Sequence, residues 1–178
     1  LYKLCSGNSV TNHASYLLGL DSDENLNINQ CRLRLDLPEH FNDNKKKVHL
    51  NYHQESGYFN VNVCQESGIV AWIPLFDCGE NEGALRILPN SNKEGRIEHE
   101  YHFEDPDKKR QKRATVPQKI SEKYEDIALT ALENDLTFQH FNLIHRSGDN
   151  KSKNYVRYTI VARYSNLLSK NFTPLSWT

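Results

Sequence analysis

Two stretches hold the side chains with the clearest chemical potential. They are Tyr52-His53-Gln54-Glu55-Ser56-Gly57-Tyr58 and, far downstream, Phe141-Asn142-Leu143-Ile144-His145-Arg146-Ser147-Gly148. Side chains alternate between faces in an extended strand, so His53 and Glu55 are expected to point one way and Gln54 the other. One imidazole and one carboxylate make half of a metal site. A second imidazole has to arrive from elsewhere, and His145, just after the run from Leu136 to Ile144, is the candidate. Two histidines and one carboxylate on one side of a metal, with the other positions open, is the arrangement associated with non-haem Fe(II) oxygenases.

Three protein ligands on a six-coordinate ion leave three neighbouring positions for a bidentate co-substrate and dioxygen. The far end of that co-substrate needs its own partner. Arg157 answers this, because a guanidinium fork matches a carboxylate bidentately. Thr159 and Val161 share its parity and would wall a pocket around one buried positive charge. Arg163 has the same parity and is the rival for this role. His99 is the rival metal ligand, while His13, His40, His49, His102 and His140 read as solvent-facing or as satisfied core imidazoles. Tyr58 and Arg34 are candidates for substrate contact.

The surrounding elements are expected to be mostly strands. Gln30-Cys31-Arg32-Leu33-Arg34-Leu35-Asp36-Leu37 alternates strictly and stops at Pro38. Its polar face reads as solvent-facing, or, in the functional reading, as a cleft wall carrying Arg32 or Arg34. The polar stretch 42–47 reads as a loop, after which Val48, Leu50 and Tyr52 lead a strand into His53 and Glu55. Ile69 to Phe76 is the most apolar run and reads as a strand buried on both faces, with Pro74 requiring a bulge or an edge position. Ala84 to Pro89 and Tyr155 to Tyr164 read as further strands, with turns at Gly79–Gly83 and Asn90–Gly95. Helical signals are few: Asn12 to Gly19, with Gly19 as the stop, and a turn within Ile120–Leu132. The basic run Lys108 to Arg113, inside a long segment between Glu104 and Pro117, reads as a solvated stretch or as a lid meeting an anionic substrate.

Composition narrows the class. The 178 residues fit one domain, expected to span 1–178, and the chain opens at Leu1 rather than Met, which leaves room for a missing N-terminal segment. A net charge of −1 gives no global field for nucleic acid or membrane, and the expected partner is a small molecule. Cys5, Cys31, Cys64 and Cys78 contain no CxxC pair, which suits reduced thiols and a cytoplasmic location. No apolar run approaches the roughly 20 residues of a membrane span. Many short strands and no repeat argue for an all-β sandwich or barrel.

A resemblance sharpens this reading. The ordered pieces His53-Gln54-Glu55-Ser56-Gly57-Tyr58, Ala71-Trp72-Ile73-Pro74-Leu75, Asn81 to Ser91, His145 to Ser152, and Arg157 resemble the phytanoyl-CoA dioxygenase family of 2-oxoglutarate-dependent oxygenases, over roughly residues 30 to 165. The resemblance implies a mainly β fold, a double-stranded β-helix (jelly roll, cupin-like) with a few flanking helices. It implies Fe(II) held by His53, Glu55 and His145, 2-oxoglutarate seated by Arg157, Ser147 and Trp72, and O2 as oxidant. Hydroxylation of a small organic molecule, with release of succinate and CO2, would follow. The chain departs from the family in four places. Glu55 stands where Asp is commoner, Asn90-Ser91-Asn92 replaces a Gly-Ser-His turn, the spacing from His145 to Arg157 is one residue longer, and the N-terminal region is short. Retention of a carboxylate at position 55 speaks against halogenation, which in related enzymes needs a small residue there. The alternatives are a cupin-like metal-binding or scaffold protein with a vestigial site, and a metal-dependent isomerase or hydrolase on the same barrel. A carboxylate fork at Arg157 would be superfluous in the latter.

Overall fold

The computed structural model describes residues 1–41, 51–58, 68–105, 110–170 and 172. Its frame is an antiparallel sheet of four strands. Strand β1 (Leu26–Asp36) lies at one edge, beside β9 (Arg157–Asn166), then β2 (Gly68–Pro74), then β7 (Thr137–His140). A second sheet has β3 (Leu85–Ile87) between β6 (Ile127–Leu129) and β8 (His145–Arg146). Strands β4 (Glu100–Asp105) and β5 (Arg110–Thr115) pair with each other as a hairpin. This is the expected mainly β, jelly-roll architecture, with helices only at its margins.

Parity along β9 explains how the frame carries both a core and a site. Ile160, Ala162 and Tyr164 face outward with Ile69, Ala71 and Ile73 of β2, where helices α1 (Tyr2–Cys5) and α2 (Asn8–Leu17) cover them through Cys5, Val10 and Ala14. The Tyr164 hydroxyl donates to the Cys5 carbonyl at 2.6 Å, fastening α1 to the sheet. The odd positions Arg157, Val161 and Arg163 face the space between the sheets. There Trp72, Leu85, Ala84, Cys78 and Ala131 make a second core cluster against Val161. Burying β2 on both faces requires the continuous apolar run seen in its sequence.

Several expectations need correction. Pro74 causes no bulge; it is the last residue of β2. Helix α2 begins at Asn8, earlier than expected, and Gly19 ends it at φ +68°, a conformation glycine adopts without a Cβ penalty. The turn expected within Ile120–Leu132 is α3 (Gln118–Ser121), and the rest of that segment supplies β6. For the polar face of β1 the cleft-wall reading holds: Gln30, Arg32, Arg34 and Asp36 line the pocket, with Arg32 exposed. The apolar alternates Leu33 and Leu35 are 49% and 52% exposed, because the covering helices reach only the Cys31 end of the strand. The basic run belongs in part to a hairpin strand, β5, and Arg113 from it reaches the pocket. Val48 and Leu50 lie outside the described residues, as do Cys64 and His49. Cys5, Cys31 and Cys78 are free thiols.

Candidate active site

Backbone pairing brings the two distant stretches together. His53 and His145 form an antiparallel bridge, each N–H donating to the other's carbonyl at 3.0 Å. Residues directly opposite one another in such a pair project to the same side. Their rings accordingly meet, with centroids 4.4 Å apart. Glu55 is not on a strand but opens a 3-10 turn, Glu55–Gly57, so the strand expected there ends early. The alternation survives across one residue, because Gln54 is extended (φ −110°, ψ 146°). Its fully buried side chain points the opposite way, donating to the Gly95 and Asn142 carbonyls and accepting from the Ile97 N–H.

One ligand atom from each of His53, Glu55 and His145 lies within 4.8 Å of the others, and all three residues are buried. Both imidazoles are oriented alike. Nδ1 of His53 donates to the Asn51 carbonyl at 2.8 Å and Nδ1 of His145 to the Leu143 carbonyl at 2.9 Å, since a carbonyl can only accept. In a neutral ring this leaves the lone pair on Nε2, which is the tautomer a metal ligand needs. His99 is excluded from the cluster: its Nε2 accepts from the Gln54 N–H at 3.2 Å, behind Gly57.

Glu55 has a partner that sequence parity could name only as a rival for another role. Arg163 grips both carboxylate oxygens, Nε to Oε2 at 2.7 Å and Nη2 to Oε1 at 2.9 Å. Oε1 also stands 3.7 Å from Nε2 of His145. Burial alone would raise the Glu55 carboxyl, but Arg163 and His145 outweigh it and hold the group well below the usual carboxylate range. Burial, with help from His145 and Arg34 and against the pull of Glu55, presses His53 down to about 3. The site at neutral pH is a neutral His53 beside a charged Glu55.

These shifts fix an expected pH dependence of the metal-free protein. His53 binds its proton less readily folded than unfolded, so its contribution is complete above about 6.5 and drains away as pH falls towards about 3. Glu55 works in the same direction below its ordinary 4.5. Melting temperature should therefore fall continuously between pH 6.5 and pH 4, by the equivalent of a few kcal/mol, and His53→Gln should flatten the slope. A wild-type melting temperature unchanged over that interval would refute this account of the site.

Around the cluster lies a pocket of about 700 Å³. Arg157, 2% exposed, holds Asp36 of β1 at 2.7 Å, its cross-strand neighbour in the β1–β9 register. Arg34 donates to the same carboxylate at 3.0 to 3.1 Å. Burial raises the Asp36 carboxyl, but the two arginines prevail and keep it lowered. Among the described residues, Nε and Nη1 of the buried Arg157 nevertheless find no acceptor, and the buried Thr159 hydroxyl is likewise without a partner. Unmet donors of this kind are expensive, and their clustering marks a place for a bound acceptor. Gly83, at φ +80°, passes close by. A Cβ there would stand 3.1 Å from Nη1 of Arg157 and 2.9 Å from the Gly148 carbonyl.

Ser147 and Trp72, both buried, also line this pocket, as do Tyr58 and Arg34. The loop between His145 and Arg157 is pinned by hydrogen bonds. There Asn150 donates to the Asp36 and Tyr155 carbonyls and accepts from Ser152. Asp36 and Arg163 are the contacts that escaped sequence reasoning in these roles. Both depend on strand register, and only the parity of Arg163 hinted at it.

With this geometry in place, kinship can be stated. The chain belongs to the phytanoyl-CoA dioxygenase (PhyH) family, whose model matches residues 12–158. No curated protein matches the chain in sequence. Among solved structures, EvdO2 from Micromonospora carbonacea var. aurantiaca, complexed with 2-oxoglutarate, is similar at a TM-score of 0.70 and 18% identity, covering 93% of this chain and 62% of that one. The epimerase SnoN, in complex with Fe3+, alpha ketoglutarate and nogalamycin RO, gives 0.66 and 18%, over 93% and 58%. EctD from S. alaskensis with bound Fe gives 0.65 and 16%, over 93% and 52%. The chain thus spans little more than half the length of the structures it resembles. The cofactor expectation of Fe(II) and 2-oxoglutarate accords with the family and with the buried His–Glu–His cluster. Among the described residues no helix is long and apolar enough to cross a membrane.

Proposed function

We propose that the chain is an Fe(II)- and 2-oxoglutarate-dependent dioxygenase domain that hydroxylates a small organic molecule. The observation that carries this reading is the buried cluster of His53, Glu55 and His145 beside an arginine with unmet donors. The donor set fits the ion: two imidazole nitrogens with free lone pairs and one carboxylate form a facial triad suited to Fe(II). Bound there, Fe(II) would supply oxidative chemistry with O2 and 2-oxoglutarate, yielding succinate, CO2 and a hydroxylated product. The protein's part is placement. Arg157 would take the distal carboxylate of 2-oxoglutarate through a guanidinium N–H that has no acceptor among the described residues, Thr159 would add a hydroxyl, and Ser147 and Trp72 would seat the chain of the molecule. Trp72 and Val161 form the apolar wall that keeps water from the reacting end. The free thiols support a cytoplasmic setting.

One observation favours the second reading, a cupin-like binding protein with a vestigial site. Arg163 already engages both oxygens of Glu55. Each carboxylate oxygen has two lone-pair sites, however, so it can accept from Arg163 and still face a metal, and ligating carboxylates are commonly hydrogen-bonded in this way. The two readings part in one experiment. Adding Fe(II) and 2-oxoglutarate under nitrogen should produce the weak visible absorption of the chelate, and admitting air should yield succinate. A colourless mixture that releases no succinate would decide for the binding protein.

A further inference from the structure

Of the three side chains in the cluster, Glu55 has the most torsional freedom to lose. It opens the 3-10 turn Glu55–Gly57 instead of standing in a strand ladder, so its backbone does little to aim the carboxylate. Arg163 does that. Nε donates to Oε2 at 2.7 Å and Nη2 to Oε1 at 2.9 Å, so the fork takes one lone pair from each oxygen. A fork across both oxygens competes with chelation of an ion by both. Oε1, which stands 3.7 Å from Nε2 of His145, is the oxygen left turned to the cluster.

The fork is itself held. In the register of the four-stranded sheet Arg163 stands between Gln30 of β1 and Val70 of β2. Oε1 of Gln30 accepts from Nη1 at 3.2 Å, so all three guanidinium nitrogens are engaged. The side chains of Arg163 and Glu55 are only 12% and 5% exposed. A carboxylate buried in this way needs a compensating charge, which a lysine would also supply. Two parallel bonds add direction, and fixing the carboxylate before an ion arrives removes an ordering cost from binding. Length matters as well. Aspartate, one methylene shorter, cannot reach the fork from the same turn and still bring an oxygen to the imidazoles.

We infer that Arg163 is a positioning residue of the metal centre, aiming Oε1 of Glu55 at an ion shared with His53 and His145, and that glutamate at 55 and arginine at 163 work as a matched pair. The inference rests on the metal-site part of the oxygenase reading above. It gives Arg163 a task separate from that of Arg157, which pairs with Asp36 at the opening end of β9. It also gives the longer acid at position 55 a reason.

The test is a double-mutant cycle on the full chain, read as Fe(II) affinity by calorimetry under nitrogen and as melting temperature of the metal-free protein. Arg163→Lys keeps a charge near Glu55 but not the fork, and should weaken Fe(II) by roughly 10–100-fold, the scale of a lost outer-shell partner. Glu55→Asp, although still a carboxylate, should weaken it by a comparable factor. The double variant Glu55→Asp/Arg163→Lys should bind no worse than the weaker single variant, because each change removes the same contact. A merely structural ion pair would lower the melting temperature and leave the Fe(II) affinity of the folded protein where it was. Full Fe(II) affinity in either single variant, or losses that multiply in the double, overturns the inference. Glu55→Asp alone decides the matter if Arg163→Lys does not fold. A wild type that takes up no Fe(II) overturns the metal reading along with the inference, whereas an iron-binding wild type with independent losses overturns only the assignment to Arg163.

Discussion

His145→Ala should abolish iron retention while leaving the fold in place. Losing an outer-shell partner costs a metal site roughly 10–100-fold, and removing a ligand outright should exceed that. The scaffold survives because the bond between the two stretches is made by backbone atoms, the paired N–H and carbonyl groups of His53 and His145. Glu55 likewise keeps Arg163. The variant would therefore present one imidazole and a carboxylate already neutralised by a guanidinium, too little to hold Fe(II) through desalting. Iron content after gel filtration, with circular dichroism to confirm folding, checks this. His99→Ala is the matching control. Its ring accepts from the Gln54 N–H outside the cluster, so the variant should melt lower yet keep its iron. Stoichiometric iron in His145→Ala would remove the triad from consideration.

The triad could be read from sequence because its geometry is local on one side and chemically constrained on the other. Extended backbone at Gln54 is enough to turn His53 and Glu55 the same way, whatever Glu55 does next. Parity likewise separated Arg157, Thr159, Val161 and Arg163 from the residues beneath α1 and α2. The orientation of β1 was not legible. Alternation shows that a strand has two faces but not which one turns inward, and here the interior is a polar pocket, so Gln30, Arg32, Arg34 and Asp36 face it. The ion pairs Asp36–Arg157 and Glu55–Arg163 lay further out of reach, because they require the pairing register and the approach of a turn to a strand. Strand β5 was hidden for another reason: its lysines and arginines look like solvated loop until a partner strand is found for them.

Arg157→Ala should weaken 2-oxoglutarate much more than iron. Arg157 pairs with Asp36 rather than with the cluster, and among the described residues two of its guanidinium nitrogens still have no acceptor. Truncating one partner of a buried, hydrogen-bonded charge pair costs about 2–5 kcal/mol, so 2-oxoglutarate affinity should fall by roughly thirtyfold or more. The protein itself should lose stability as well, because Asp36 is left buried with fewer donors. Arg34 limits that loss by keeping its own contacts to the same carboxylate. Arg157→Lys restores the charge but not the fork, and should recover Asp36 pairing better than 2-oxoglutarate binding. Titration of the anaerobic chelate absorption measures the co-substrate, and iron retained after desalting measures the metal. If both fell together in Arg157→Ala, with melting temperature held near that of Arg157→Lys, the arginine would be supporting the triad rather than receiving the co-substrate.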